Sequence, residues 1–253
     1  MDTLAGKRAL VTGGAKRIGR AICRSLARRG MEIVVHYRKS EREAAALVEE
    51  LGGSREGHRT WRADLAVDSE RCELIRGLAA AGQSPEVLVN NASVYRRGSL
   101  KDLTDRQLQE DYTINFFAPL LLMKEFASHC RQGCIINLLD QRVALVESKA
   151  GAYGLAKKSL RDATEAAALE WAPDIRVNGV APGFVLPPPG VDAAKMTPLL
   201  TNVPMNRQTS AEEIADCCGF LAASETITGT ILYADGGMHL VHPSREEVAP
   251  SSS

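Results

Sequence analysis

Apolar and polar positions along the chain fall into blocks whose period changes repeatedly from strand-like to helical. Residues 8–12 form a short apolar run that ends in a glycine-rich turn. Apolar residues then recur at helical spacing, at Ile18, Ala21, Ile22 and Leu26, until Gly30 stops the pattern. Residues 32–37 carry Ile33, Val34 and Val35 in succession, as expected of a strand buried on both faces. The same reading predicts further helices over 41–51, 69–81, 104–130, 150–171 and 211–223, and further strands over 58–62, 87–89, 134–139, 175–180 and 230–233. Pro119 lies inside the 104–130 helix and should disturb it, because proline has no N–H to give the preceding turn. Strands alternating with helices at this spacing imply right-handed βαβ units. The expected fold class is therefore α/β, a Rossmann-like doubly wound parallel sheet covered on both faces.

No linker or repeat interrupts the pattern, so residues 1–241 read as one domain. The run Pro187-Pro188-Pro189-Gly190 breaks periodicity, and residues 184–206 are expected to form a substrate lid. The polar segment 242–253 is expected to be a disordered tail. Strand-like residues begin within ten positions of Met1, which predicts no targeting segment, and no apolar run reaches the length of a membrane span. Composition changes the picture in two ways. Lys+Arg and Asp+Glu both number 31, and zero formal charge argues against a bulk nucleic-acid binder. The six cysteines form no CxxC motif and lie near no histidine cluster. They read as apolar fillers in a reducing cytoplasm, with no metal site.

Thr12-Gly13-Gly14-Ala15-Lys16-Arg17-Ile18-Gly19 spans the first strand–helix junction. Glycines there let the backbone turn tightly and approach a pyrophosphate, and the helix N-terminus offers free N–H groups. The end of the second strand discriminates between cofactors. NAD enzymes commonly place an acid there for the ribose hydroxyls. Here the residues are His36-Tyr37-Arg38-Lys39-Ser40, with no acid. Arg38, Lys39 and Ser40 either hold a 2′-phosphate or form a solvated basic turn. The missing acid favours the first reading, and hence NADPH.

Tyr153 and Lys157 stand four apart on one predicted helix. A free phenol, with a pKa near 10, is a poor acid–base group at neutral pH, and a neighbouring ammonium favours its phenolate. Alone the pair is a chance spacing. In order along the chain, however, stand Thr12-Gly13 with Arg17-Ile18-Gly19, Asn90-Asn91-Ala92, Asn115, Tyr153 with Lys157, Pro182-Gly183 and Asp235-Gly236-Gly237. Together they resemble the short-chain dehydrogenase/reductase family over nearly the whole chain. The resemblance implies a parallel sheet of about seven strands, hydride transfer with NAD(P), and a homotetramer formed through the long helices. It implies Asn115, Tyr153 and Lys157 as catalytic residues, with Lys157 also gripping the nicotinamide ribose and Asn115 holding a relay water. It further implies a cofactor held by Gly13, Lys16, Arg17, Ile18, Gly19, His36, Tyr37, Arg38, Ser40, Asp64, Leu65, Asn91, Ala92, Ser93, Tyr153, Lys157, Pro182 and Gly183.

Two departures from the family pattern narrow the expectation. Arg17 stands where the family has its middle glycine, and Asp140 stands thirteen residues before Tyr153, where the family has its catalytic serine. An ionised aspartate only accepts hydrogen bonds, so it is no simple replacement for serine. Both departures resemble the branch of pteridine reductases and bacterial dihydromonapterin reductases, as do His36-Tyr37-Arg38 with Ser40 and Asn91-Ala92-Ser93. That resemblance implies Asp140 as a fourth catalytic residue and a pterin-like small-molecule substrate held by Arg17, Tyr95, Asp140 and Tyr153. Phe184 and Leu186 read as the lining of an apolar pocket, with ordinary core packing an equal reading for Phe184. Asp140 beside Tyr153 should raise the phenol's pKa, against the effect of Lys157. Arg96 and Arg97 read either as a solvated pair or as an attractor for an anionic substrate tail.

Overall fold

The computed structural model describes residues 4–185, 200–201 and 203–241. The expected contact of Leu186, most of the expected lid and the 242–253 tail lie outside the described residues.

Seven parallel strands form one sheet in the order β3-β2-β1-β4-β5-β6-β7. They are β1 (Arg8–Val11), β2 (Glu32–Tyr37), β3 (Arg59–Arg62), β4 (Val87–Asn90), β5 (Gly133–Leu138), β6 (Ile175–Pro182) and β7 (Ile231–Ala234). Helices α1 (Arg17–Arg28), α2 (Glu41–Glu50), α3 (Asp68–Ala80), α4 (Asp105–Tyr112), α5 (Ala118–His129), α6 (Gly151–Glu170) and α7 (Ala211–Ala223) connect them. This is the single-domain, Rossmann-like α/β fold that the alternation predicts.

The order of strand addition reverses between β1 and β4. A crevice therefore opens at their carboxyl ends, where ligands of doubly wound sheets bind. Its two faces explain the continuous apolar runs. On one, Val11, Val35 and Val89 join Ile22 and Leu26 of α1 and Ile214 and Leu221 of α7. On the other, Leu10, Val34 and Leu88 join Leu74 of α3, Leu122 and Phe126 of α5, and Leu160 of α6.

The expected 104–130 helix is interrupted. Thr104 and Gln107 form a capping box at the start of α4. A π-helical turn, Thr113–Phe117, then separates α4 from α5. Pro119 accounts for the break: it has no N–H for the carbonyl of Asn115 four residues earlier, and the turn widens, with Ala118 N donating to Thr113 O. The widened turn carries Asn115 and buries its side chain completely.

A buried polar relay ties α6 to the sheet. Asn90 Nδ2 donates to Asn137 Oδ1 (2.9 Å), and Asn137 Nδ2 donates to Thr164 Oγ1 (2.8 Å). The helix bearing Tyr153 and Lys157 is thus fixed against the ends of β4 and β5. Among the described residues, no helix is long and apolar enough to cross a membrane.

Candidate active site

The glycine-rich turn is built from inside the fold. Gly13 adopts φ +61°, a left-handed conformation that favours glycine. Gly19 is confined by space: a Cβ there would lie 2.3 Å from Gly13 O. Thr12 Oγ1 accepts from Asn91 N (2.9 Å) and Ala92 N (3.0 Å), and Asn91 Nδ2 donates to Thr12 O (2.8 Å). The Asn-Asn-Ala segment therefore pins the turn across the β1–β4 crevice.

His36 serves the same turn from beneath. Gly13 N donates to His36 Nδ1 (3.0 Å), so Nε2 carries the proton and donates to Ala63 O (3.0 Å). Burial pushes the imidazole pKa down to about 4, which keeps it neutral. Expected as a cofactor contact, His36 is instead enclosed, with both ring nitrogens spent on the fold. Tyr37 and Leu65 are likewise buried.

The N-terminus of α1 is open to an anion. Lys16, its N-cap, makes no side-chain cap, and no acid stands in the first turn. Lys16 pairs with Glu43 at 2.6 Å. Arg17 adopts φ +52°, the left-handed region that the family's glycine occupies without cost. Its side chain is exposed beside the crevice, and Ile18 is half-buried. Arg38 is exposed at the end of β2, within 3.8 Å of Asp64, and Ser40 caps α2 by its backbone. Pro182 and Gly183 lie at the end of β6, where Gly183 N donates to Ala234 O (3.1 Å) and Phe184 is half-buried.

The catalytic candidates converge at the carboxyl ends of β4 and β5. Tyr153 Oη donates to Asp140 Oδ2 at 2.9 Å, so the register noted in the sequence is a contact. Burial and then the Asp140 charge hold the phenol well above its ordinary value of 10. The rise expected from Asp140 is present, and the phenol donates its hydrogen bond to that carboxylate. Lys157 is buried, 5.9 Å from the centre of the Tyr153 ring, and donates to Leu138 O at 2.6 Å. Burial lowers its pKa to about 8, with Asp140 pulling the other way.

Asn115 Oδ1 accepts from Ser93 Oγ (2.6 Å) and Val94 N (3.3 Å), while Nδ2 donates to Val94 O (2.9 Å) and Asp111 O (3.0 Å). Both ends of its side-chain amide are therefore engaged within the fold. Tyr95 is exposed, its ring meeting Tyr153 edge-on at 4.9 Å.

Sequence reasoning missed Arg142. It grips Asp140 with Nη1 at 3.0 and 3.1 Å, pairs with Glu147 and lies 5.5 Å from the centre of the Tyr95 ring. The available signal was a cation two residues beyond the candidate carboxylate. Arg96 and Arg97 are both committed to ion pairs, Arg96 to Glu110 and Asp111 and Arg97 to Glu147.

Residues 13–239 match the family model described as "Enoyl-(Acyl carrier protein) reductase". The chain belongs to this short-chain dehydrogenase/reductase family and is an oxidoreductase. It is 29% identical to the 3-oxoacyl-[acyl-carrier-protein] reductase of Staphylococcus aureus, covering 92% of this chain and 98% of that protein. Among solved structures it resembles FolM alternative dihydrofolate reductase 1 from Brucella suis in complex with NADP. There the TM-score is 0.89 and the identity 28%, over 96% of this chain and 99% of that one. It also resembles a gluconate 5-dehydrogenase from Burkholderia cenocepacia in complex with NADP and tartrate. That match has a TM-score of 0.85 and 28% identity, over 95% of this chain and 99% of the other.

Proposed function

We propose that the chain is an NADPH-dependent reductase that transfers hydride to the C=N bond of a pterin-like ring, of the dihydropterin or dihydrofolate kind, with Tyr153 as proton donor. The observation that carries this reading is the Tyr153–Asp140 hydrogen bond at the position of the family's serine. Similarity to an alternative dihydrofolate reductase supports it.

The residues fit the cofactor. The uncapped N-terminus of α1 and the Gly13–Gly19 turn suit a pyrophosphate. Exposed Arg38, with Lys39 and Ser40, suits a 2′-phosphate, and both solved relatives are NADP complexes. Asp64, Leu65, Asn91, Ala92 and Ser93 would border the adenosine and ribose, Lys157 would hold the nicotinamide ribose, and Pro182 and Gly183 would border the nicotinamide. When bound, NADPH supplies the hydride.

The protein's own residues do the rest. Arg17 and Tyr95 hold the pterin ring at the crevice mouth, and Phe184 contributes apolar contact. Tyr153 Oη gives its proton to the ring nitrogen as the adjacent carbon is reduced. Lys157, in its ammonium form, stabilises the phenolate left behind, and a water held by Asn115 relays a solvent proton toward Lys157 to restore the phenol. We also propose that the protein works as a homotetramer in a reducing cytoplasm. Exposed Phe117 on the π-helical turn and exposed Leu155 and Leu169 on α6 favour the assembly, and six free cysteines favour the compartment.

A second reading, reduction of a ketone or 3-oxoacyl thioester, draws on the similarity to the Staphylococcus aureus enzyme and to the gluconate dehydrogenase. NADPH oxidation by the purified protein, with a dihydropterin beside an acetoacetyl thioester, separates the two. Turnover of the dihydropterin alone supports the proposal; turnover of the thioester alone discards its substrate.

A further inference from the structure

Asp140 is more fully engaged than a substrate ligand should be. Its Oδ1 accepts from Arg142 N (2.9 Å) and Arg142 Nη1 (3.1 Å). Its Oδ2 accepts from Arg142 Nη1 (3.0 Å) and Tyr153 Oη (2.9 Å). An ionised carboxylate has about four acceptor positions, and these four contacts fill them. Three of the four come from Arg142.

Arg142 is itself held in place. Glu147 takes its Nε, and Glu147 also binds Arg97 at 3.4 Å. Gly98 N donates to Lys149 O at 3.2 Å, so the loop after β4 and the loop after β5 are tied together beside this pair. The guanidinium lies over Tyr95, whose ring meets Tyr153 at 86°. Asp140, Tyr153, Tyr95 and Arg142 thus close a ring of four contacts around the proton-donating oxygen. Only 14% of the Arg142 side chain is exposed. Burial opposes its charge, but Asp140, Tyr95 and Glu147 outweigh that and hold the guanidinium above the ordinary arginine value.

We infer that Arg142 is the positioning residue of the site: it occupies Asp140 so completely that the carboxylate acts on Tyr153 Oη alone, and substrate meets Tyr95 and Tyr153 rather than Asp140. The sequence expectation that Asp140 itself contacts the substrate is thereby replaced. Asp140 fixes the direction of the Tyr153 hydroxyl, and Arg142 fixes Asp140. This inference rests on Tyr153 being the proton donor, but not on which substrate it serves.

A double-mutant cycle tests it, joining Arg142→Met with Asp140→Asn. The substrate is whichever of a dihydropterin and an acetoacetyl thioester the unaltered protein reduces with NADPH. Absence of dihydropterin turnover therefore counts against the proposed substrate and leaves the cycle intact. Arg142→Met should lower kcat about tenfold or more while KM stays within about threefold. In the Asp140→Asn background the same substitution should lower kcat less than about twofold, because its effect passes through the carboxylate. Arg142→Lys, which restores the charge without the fork, should recover part of the loss in the Asp140 background only. NADPH affinity, followed by fluorescence, should be unchanged in every variant that folds. A full loss of kcat that persists in the Asp140→Asn background overturns the inference, as does an effect carried by KM; Arg142 would then meet the substrate itself. If Arg142→Met does not bind NADPH, Arg142→Lys takes its place in the cycle, with the same two outcomes.

Discussion

Replacing Arg17 with glycine should make the protein more stable and less active. Arg17 sits at φ +52°, where an L side chain is crowded by its own backbone at a cost of about 1–2 kcal/mol. Glycine removes that cost but gives the unfolded chain more freedom, which returns about 0.5–1 kcal/mol. The side chain is exposed, so little buried apolar surface changes. At the midpoints of these two ranges the net expectation is a gain of about 0.75 kcal/mol. For a chain of this size that corresponds to a Tm rise of roughly 1–4 °C in the absence of cofactor. Function should move the other way. A guanidinium hydrogen-bonded to a phosphate or ring oxygen contributes about 1.5–3 kcal/mol, so kcat/KM for dihydropterin reduction should fall roughly 10- to 100-fold. Thermal unfolding and steady-state NADPH oxidation on the same preparations measure both effects. If Arg17→Gly lowers the Tm, or leaves kcat/KM unchanged, the left-handed arginine is not strain retained for binding.

Three further outcomes follow from the site. Arg38→Ala should raise KM for NADPH about 10- to 100-fold and change KM for NADH less than about threefold; an unchanged preference removes Arg38 from cofactor selection. Because Lys157 loses its proton near pH 8, kcat/KM for reduction should fall as pH rises above about 8, and a profile flat to pH 10 would show that the ammonium is not needed. His36 titrates near 4 in the folded protein and near 6.5 when unfolded, so the unfolded chain binds the extra proton first. Stability should therefore drop by about 3 kcal/mol as pH falls from 6.5 to 4. Urea unfolding at pH 7 and pH 4.5 checks this, since His36→Asn should flatten the dependence.

The elements were legible wherever one local signal dominated. The 211–223 helix has its observed bounds because the apolar stripe begins just after a Ser210 cap and ends where it meets Ser224. The strands were readable because both sheet faces are covered, leaving continuous apolar runs. That same coverage hid the role of His36: in a strand buried on both faces, alternation does not distinguish a residue facing a ligand from one facing the fold. Pro119 announced a disturbance, but the apolar stripe could not say that the helix would widen rather than kink. The Tyr153–Asp140 contact was foreshadowed by a spacing of thirteen. Arg142 stood two residues beyond that carboxylate, but its orientation is set by Glu147 and by Tyr95, which is 47 positions away and reaches it through the pairing of two loops.

We propose that Asp140, in place of serine, adapts the Tyr153 donor to a ring nitrogen. The most direct measurement is the ratio of kcat/KM for a dihydropterin to that for a ketone, in the unaltered protein and in Asp140→Ser. The substitution should lower this ratio about tenfold or more, with dihydropterin reduction suffering the greater loss. Equal loss on both substrates, or a ratio that does not move, would contradict it.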